Sequence, residues 1–338
     1  MTLRVVHVVR SDSFAGVERY ICDVAGPLIE LGCQVEVVGG DPVRMRAELP
    51  SGVVHRAAAT TGEVFRNLLR GPRADLLHAH MTAAELAAVL AGGLRRTPVV
   101  STRHFAAPRG SSATASLIGR AVARRLVRQI SISHFVATRV GEPTLVLHNA
   151  VPGAPASRLG PQVLVLQRLE AEKDTATAVR AWAMCRARSQ GWTLTIAGRG
   201  SEADGLRSLA EDLNVADSVH FAGFVTDPGE LRQAAGLLLA TAPEEPFGLA
   251  VVEAMAAGLP VVAAAGGAHL ETLAEVGAFF PPGDVRACAE QLDRLALDAG
   301  LRHDLARRAR ARQQVAFALP AHAGGLMRVY RDVVAREP

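Results

Sequence analysis

Two successive runs in which short apolar stretches alternate with Ala-rich helical segments set the strongest limit on how this chain can fold. In the first, RVVHVV (4–9) precedes GVERYICDVAGPLIELG (16–32), where Gly32 is placed to stop a helix. QVEVVGG (34–40), DLLHAH (75–80), PVVST (98–102) and LVLHNA (145–150) follow as strands, with Ala-rich helices between them. The Pro-, Gly- and Ala-rich stretch AVPGAPASRLGP (150–161) reads as a linker. The pattern then restarts with strand QVLVLQRL (162–169), helix DTATAVRAWAMCRARSQ (174–190), strand WTLTIAG (192–198), helix SEADGLRSLAEDLN (201–214) and strands SVHFAGFV (218–225) and GLLLATA (236–242). Strands that alternate with helices call for parallel sheets covered on both faces. The expected fold class is α/β: two doubly wound, Rossmann-like domains facing a cleft, spanning 1–152 and 153–319. A last helix, about 320–338, is expected to pack back on the first domain. Sheets of this kind bind ligands beyond the carboxyl ends of their strands, so the cleft is the expected site.

The stretch EEPFGLAVVEAMAAGLPVV (244–262) bears on that site. From Gly248 to Leu270 only Glu253 and His269 interrupt the apolar run. A membrane span needs about 20 apolar residues, but Pro260, Gly266–Gly267 and the mid-run carboxylate argue against one. The better parse is a loop, a short buried helix over 249–257, a stop at Gly258 and a buried strand, PVVAA (260–264). On it Glu245 lies just before a helix N-terminus, a natural anion seat, and Glu253 lies inside the helix. Two readings stand at this point: helix capping or pairing with arginines, and ligand binding.

The cations narrow the choice. The chain carries 37 Lys plus Arg, of which only Lys173 is lysine. A compact point charge reaches a phosphate oxygen without the planar fork of a guanidinium. Arg168 and Lys173 follow one strand, the glycine loop GRGS (198–201) follows the next, and Glu245, Gly248 and Glu253 follow the strand GLLLATA. Two cations and a helix N-terminus suit a diphosphate, while a carboxylate suits sugar hydroxyls. The net charge of +4 is modest, and no basic and aromatic residues interleave, so nucleic acid is not indicated. The start, MTLRVVHVV, shows no cleavage site, and Cys22, Cys33, Cys185 and Cys288 form no Cys-x-x-Cys pair. A reduced cytoplasmic protein is expected.

EPFGLAVVEAMAAGLPVVA (245–263), followed by GGAHLETL and PPGD, resembles the C-terminal signature of the retaining glycosyltransferases of family four, which have the GT-B fold. FAGVERYICDVAGPLIELGCQVEVV (14–38), HAH (78–80), STRH (101–104), SISHFV (131–136), HNAV (148–151) and QRLEAEKD (167–174) fall in the family's order. The resemblance implies that Arg168 and Lys173 neutralise the departing donor diphosphate and that the backbone of Gly16 approaches it. It implies that Glu253 holds the nucleotide ribose, that Glu245 and the amides of Phe247, Gly248 and Leu249 grip the sugar and phosphate, and that His104 lies near sugar and acceptor. The loop FAGFV (221–225) would flank the base. The family's usual glycines before Arg168 and after Lys173 are replaced here by Gln167 and Asp174, and its first loop reads Ala15–Gly16.

The implied activity is retaining, metal-independent transfer of a hexose-like unit from a nucleoside diphosphate sugar to an acceptor hydroxyl. The acceptor is a lipid-linked glycan, a saccharide or a small natural product. No Asp-x-Asp occurs in the chain, so fixed cations are the simpler stabiliser of the leaving diphosphate; no cofactor or metal is expected. The alternatives are a GT-B nucleotide-sugar epimerase, a phosphorylase, or a sugar-nucleotide-binding partner without activity. His78 and His80 form a candidate metal pair for which the sequence offers no third ligand. The segment 105–116 reads as a flexible loop, and LIGRAVARRLVRQ (117–129) as a basic amphipathic helix that either faces solvent or touches anionic lipid at the inner face of the cell membrane.

Overall fold

The computed structural model describes residues 2–110 and 112–336. The chain divides into two compact units, Met1–Ala150 with Leu319–Pro338, and Val151–Ala318. Ser111 of the expected flexible loop, and Glu337 and Pro338 of the expected terminal helix, lie outside the described residues.

In the first unit the strands are β1 (Leu3–Val9), β2 (Cys33–Val38), β3 (Val54–Arg56), β4 (Leu76–His80), β5 (Val99–Arg103), β6 (Arg128–Ser131) and β7 (Leu145–Val146). Among the described residues they form one sheet in the order β3-β2-β1-β4-β5-β6-β7, with every pairing parallel. The period-2 alternation of a strand decides which side chains go where. Val5, Val9, Leu76 and Val100 pack on the face covered by helix Gly16–Glu30 and the C-terminal helix Leu319–Ala335. Val6, Val8, Leu77 and Val99 pack on the other face, against helices Thr61–Arg70 and Thr82–Arg95. Both faces are buried, which is why these strands read as nearly continuous apolar runs.

In the second unit the strands are β8 (Gln162–Leu166), β9 (Thr193–Ala197), β10 (Val219–Gly223), β11 (Leu237–Ala240), β12 (Val261–Ala264) and β13 (Ala278–Phe280). Their order is β10-β9-β8-β11-β12-β13, again parallel throughout. One face packs Val163, Val165, Leu194, Ile196, Leu237 and Leu239 against a cluster centred on Trp182. The buried Trp182 Nε1–H donates to Ser218 Oγ at 3.1 Å, so its one polar atom is satisfied. In both sheets the order reverses beside the first strand of the unit, between β1 and β4 and between β8 and β11. That reversal is the topological switch point of a doubly wound sheet.

Three sequence expectations change here. The basic segment 117–129 is not one helix. The helix spans Ala113–Ala123, and Arg128–Ser131 pairs in parallel with β5, where Ile130 is 1 % exposed. Long-range ladder hydrogen bonds and burial override the helical spacing. The strand expected over 145–150 is confined to Leu145–Val146.

The segment after His104, read as flexible, is pinned by Arg109. That side chain is buried and donates to Glu85 through Nε at 2.7 Å and Nη2 at 2.9 Å, and it reaches Gln129 and Glu142. Ser101 Oγ adds a third bond to Glu85 at 2.6 Å. A buried ion pair this well bonded costs heavily when one partner is removed. Arg109→Ala is expected to destabilise the protein by about 3–5 kcal/mol, whereas the exposed pair partner Arg207 changed to Ala moves it by no more than about 0.5 kcal/mol. Urea unfolding of both variants checks this; equal midpoints would show that the Arg109 cluster anchors nothing.

Candidate active site

The carboxyl ends of β8 and β11 carry most of the residues singled out from the sequence. Beyond β8 the chain makes a 3₁₀ turn over Ala171–Lys173 and enters helix Thr175–Met184. Beyond β11 it loops through 241–248 into helix Leu249–Ala256, which Gly248 precedes in a left-handed conformation (φ 84°). The two loops bring Lys173 and Glu245 together, Nζ to Oε2 at 2.6 Å, both mostly shielded from solvent. The ammonium and the carboxylate are therefore a charge-assisted pair at the switch point.

Gln167 and Asp174, noted from the sequence only as departures, build this arrangement together with threonines that the sequence reading passed over. Gln167 fills the position where the family's glycine is usual. Its Nε2 lies 3.1 Å from the Lys173 carbonyl, 2.9 Å from Thr175 Oγ1 and 3.0 Å from Thr241 Oγ1. Thr241 Oγ1–H also donates to the Lys173 carbonyl at 2.7 Å. The backbone that carries the ammonium is thus tied to the ends of both strands. Asp174, where the second glycine is usual, adopts φ 48°, ψ 44°. Aspartate is among the few residues that tolerate this region, and its carboxylate accepts from Thr177 Oγ1 at 2.7 Å. Both departures are thus accommodated without an unpaired polar group or a disallowed backbone at Asp174.

Glycines behind the acidic loop make room for it. A Cβ on Gly267 (φ 56°) would sit 2.4 Å from Glu245 N and 2.5 Å from Glu245 O, and one on Gly266 would sit 2.0 Å from Pro243 O. The resulting contact lets Ala268 N–H donate to the Glu245 carbonyl at 2.7 Å. In the GRGS loop, Gly198 and Gly200 allow equally close approach to the backbone of Gln167 and Leu169.

The other expected residues take separate positions. Glu253 accepts from Arg232 Nη1 at 2.9 Å, a partner on helix Gly229–Ala234 that the sequence did not flag. Arg168 is exposed and turned to Glu172, Nη2 to Oε1 at 2.6 Å; it is not drawn into the Lys173–Glu245 pair. Phe247 is buried against Phe317 with ring centroids 5.8 Å apart, and Leu249 opens the helix. The stretch 221–225, expected as a loop, is strand as far as Gly223; just beyond it the Arg199 guanidinium lies 4.6 Å from the ring centroid of the exposed Phe224.

In the first unit, Gly16 opens helix Gly16–Glu30, and Ala15 before it is extended (φ −136°), so alanine there costs no strain. Tyr20, one turn on, presents its ring 5.2 Å from that of His104. His104 follows β5 and is buried, with its Nε2 3.1 Å from His80 Nδ1. His7 on β1 joins His78 and His80: their ligand atoms lie within 4.8 Å of one another. This is the third histidine that the sequence reading lacked. The two nitrogens of His78 lie 2.7 Å from Tyr330 OH and 2.7 Å from Thr102 Oγ1, so hydrogen bonds already account for that ring.

Comparison with known proteins settles the class. Residues 14–151 match the model for "Glycosyltransferase Family 4" and residues 157–312 the model for "Glycosyl transferases group 1". The chain belongs to the family-four glycosyltransferases. It is 29% identical to a phosphatidyl-myo-inositol mannosyltransferase of Mycobacterium leprae, over 94% of this chain and 93% of that one. It is also 35% identical to an exopolysaccharide phosphotransferase of Streptomyces coelicolor, but there the match takes in 45% of this chain and 17% of that longer protein. The Anabaena protein HepE, solved in complex with UDP and glucose, superposes with a TM-score of 0.84 at 21% identity, covering 98% of this chain and all of HepE. The transferase therefore has the GT-B fold, with two Rossmann-like units.

Within this transferase the glycine pair behind Glu245 gives a direct test. Gly267→Ala forces the Glu245 loop to shift and is expected to weaken binding of a nucleoside diphosphate sugar by about tenfold or more, ~1.4 kcal/mol. Gly205→Ala, at an exposed position with nothing within 4 Å of the new Cβ, leaves it unchanged. Isothermal titration of both variants decides; equal affinities would mean the loop position is irrelevant to the donor.

Proposed function

We propose that this transferase moves a sugar from a nucleoside diphosphate sugar to an acceptor hydroxyl with retention of anomeric configuration and without a metal ion. The observation that carries the reading is the Lys173–Glu245 pair at the β8/β11 switch point. In the unliganded chain the two side chains neutralise each other. A bound donor exchanges that bond for two others: Lys173 meets the diphosphate, and Glu245 accepts from sugar hydroxyls. Arg168, exposed and held by an i,i+4 partner of low worth, is free to turn to the same diphosphate. Glu253 takes the ribose hydroxyls, with Arg232 orienting its carboxylate. Gly16 and the amides of Phe247, Gly248 and Leu249 approach the phosphates, and His104 lies by the sugar and acceptor. That HepE holds UDP and glucose on the same fold supports the choice of donor class.

The chemistry follows from fixed charge. The bond from the anomeric carbon to the β-phosphate oxygen breaks as the bond to the acceptor oxygen forms, and the acceptor proton passes to the departing phosphate. Lys173 and Arg168 favour the charge that accumulates on that phosphate, a stabilisation worth most in a partly dry site. No side chain serves as covalent nucleophile.

A feature of the first unit bears on the acceptor. Helices Thr82–Arg95 and Ala113–Ala123 are neighbours, and they leave Leu94 70%, Leu117 63%, Leu90 52% and Ile118 48% exposed. Arg96, Arg120, Arg124 and Arg125 are exposed around them. Apolar side chains ringed by arginines suit the interface of an anionic bilayer, and no described helix is long and apolar enough to cross one. We infer an acceptor displayed at such a surface, the class that the name of the mycobacterial relative indicates for that protein.

Lys173→Ala and Glu253→Ala are each expected to lower turnover by about 10²–10³-fold with unfolding curves intact; near-normal rates in both would remove the mechanism. A thermal-shift screen of UDP, GDP, ADP and their sugars in EDTA should show one base raising the melting temperature, since a ligand that binds only the native state stabilises it. Product NMR should show the donor's anomeric configuration retained, and inversion would sink that part of the reading. The protein is expected to float with anionic vesicles and not with neutral ones, and Leu94→Glu/Leu117→Glu should abolish flotation; equal behaviour on both lipids would reject the membrane-facing acceptor.

A further inference from the structure

The proposed reaction leaves a run of buried histidines in the first unit unused. Parallel pairing sets His7 of β1 beside His78 of β4, and the period of 2 puts His80 on the same face. His7, His78 and His80 are fully buried. His7 Nδ1 lies 2.9 Å from His80 Nε2, and His80 Nδ1 lies 3.1 Å from His104 Nε2. The three rings therefore form a line of two hydrogen bonds that ends at His104, with the rings of Tyr20 and His78 packed alongside.

Burial keeps these rings neutral at physiological pH: it pushes His7 and His104 down to about 3, and His80 well below its ordinary value. A neutral imidazole has one N–H and one lone pair. Two bonds in series thus tie all three tautomers together and allow only two arrangements. In one, His7 Nδ1–H donates to His80 Nε2, His80 Nδ1–H donates to His104 Nε2, and His104 carries its proton on Nδ1. In the other, every proton is on the opposite nitrogen, and His7 Nε2 becomes an N–H. That atom is buried and has no hydrogen-bond partner among the described residues. An orphaned buried N–H is rarer than an under-satisfied acceptor, so the first arrangement prevails.

We propose that His7 and His80 are positioning residues that fix the tautomer of His104, so that His104 presents Nδ1–H to the ligand as a hydrogen-bond donor and not as a base. The recognised group is an oxygen acceptor on the substrate, a sugar hydroxyl or a phosphate oxygen. The proposal rests on the reading above that His104 lies by the sugar. It agrees with a transfer in which the departing phosphate, not a histidine, takes the acceptor proton.

The test uses the full chain labelled with ¹⁵N-histidine. Long-range ¹H–¹⁵N spectra at neutral pH distinguish the two tautomers, and His104→Gln assigns the signal. His104 is expected as the Nδ1–H form in the wild type. His80→Leu should release it to the Nε2–H form or a mixture and cut kcat by about tenfold, ~1.4 kcal/mol. His80→Asn, whose amide nitrogen takes the place of Nδ1, should restore both the spectrum and the rate. An Nε2–H form of His104 in the wild type overturns the proposal even if His80→Leu does not fold. So does a His104 signal unchanged in His80→Leu. Stoichiometric zinc in the purified protein also overturns it, because a metal held by His7, His78 and His80 would take the lone pairs the line requires. Wild-type turnover in Lys173→Ala would instead remove the transfer reading and leave the tautomer result standing.

Discussion

The reversal of strand order beside β8 makes the rest of the site necessary. β8 and β11 are hydrogen-bonded neighbours, yet the segments leaving their carboxyl ends diverge, so the sheet opens a crevice into which only loops can project. Those loops must come close without colliding. Gly198 and Gly200 after β9, and Gly266 and Gly267 after β12, let the neighbouring loops lie directly behind the β8 and β11 loops, because at each of them a Cβ would meet backbone well inside contact distance. What results is a lysine and a glutamate 72 positions apart in sequence joined at 2.6 Å. The ion pair is a consequence of the topology and the glycines; the charges alone would not find each other.

A second constraint is the cost of polar groups in a mostly apolar interior. The first unit answers it with shared bonds. Arg109 is buried against Glu85, Gln129 and Glu142. His78 is held between Thr102 and Tyr330, and Tyr20 OH lies 2.8 Å from His322 Nε2. Two of these partners, His322 and Tyr330, come from the C-terminal helix, which therefore closes the polar interior of the first unit as well as its apolar core. Buried networks of this kind fix one arrangement because every alternative leaves an unpaired group. The line of His7, His80 and His104 is built from the same kind of shared bond.

Positions 167 and 174, where the family's glycines are usual, carry side chains that the local backbone accommodates. Asp174 accepts a left-handed backbone, and Gln167 replaces empty space with a bond to the Lys173 carbonyl. The Lys173 carbonyl is held by Gln167 and by Thr241, so the backbone that carries the ammonium is fixed by side chains rather than by a glycine turn.

The alternation of strand and helix and the parallel sheets were legible in the residues themselves, and so were Lys173, Glu245 and Glu253 as departures from the pattern around them. Each is written in a local period or in a departure from it: apolar runs of strand length, a glycine after a helix, a carboxylate where the pattern demands a hydrophobe. Register was not legible. That His7 stands beside His78, that Arg128–Ser131 joins a sheet instead of prolonging a basic helix, that Arg109 anchors a segment rich in loop residues, and that Arg232 meets Glu253 all depend on pairings between segments far apart in the chain. Only tertiary structure decides these, because a local pattern states which face of an element is apolar, while the energy of burying a polar or charged group depends on what the fold places opposite it.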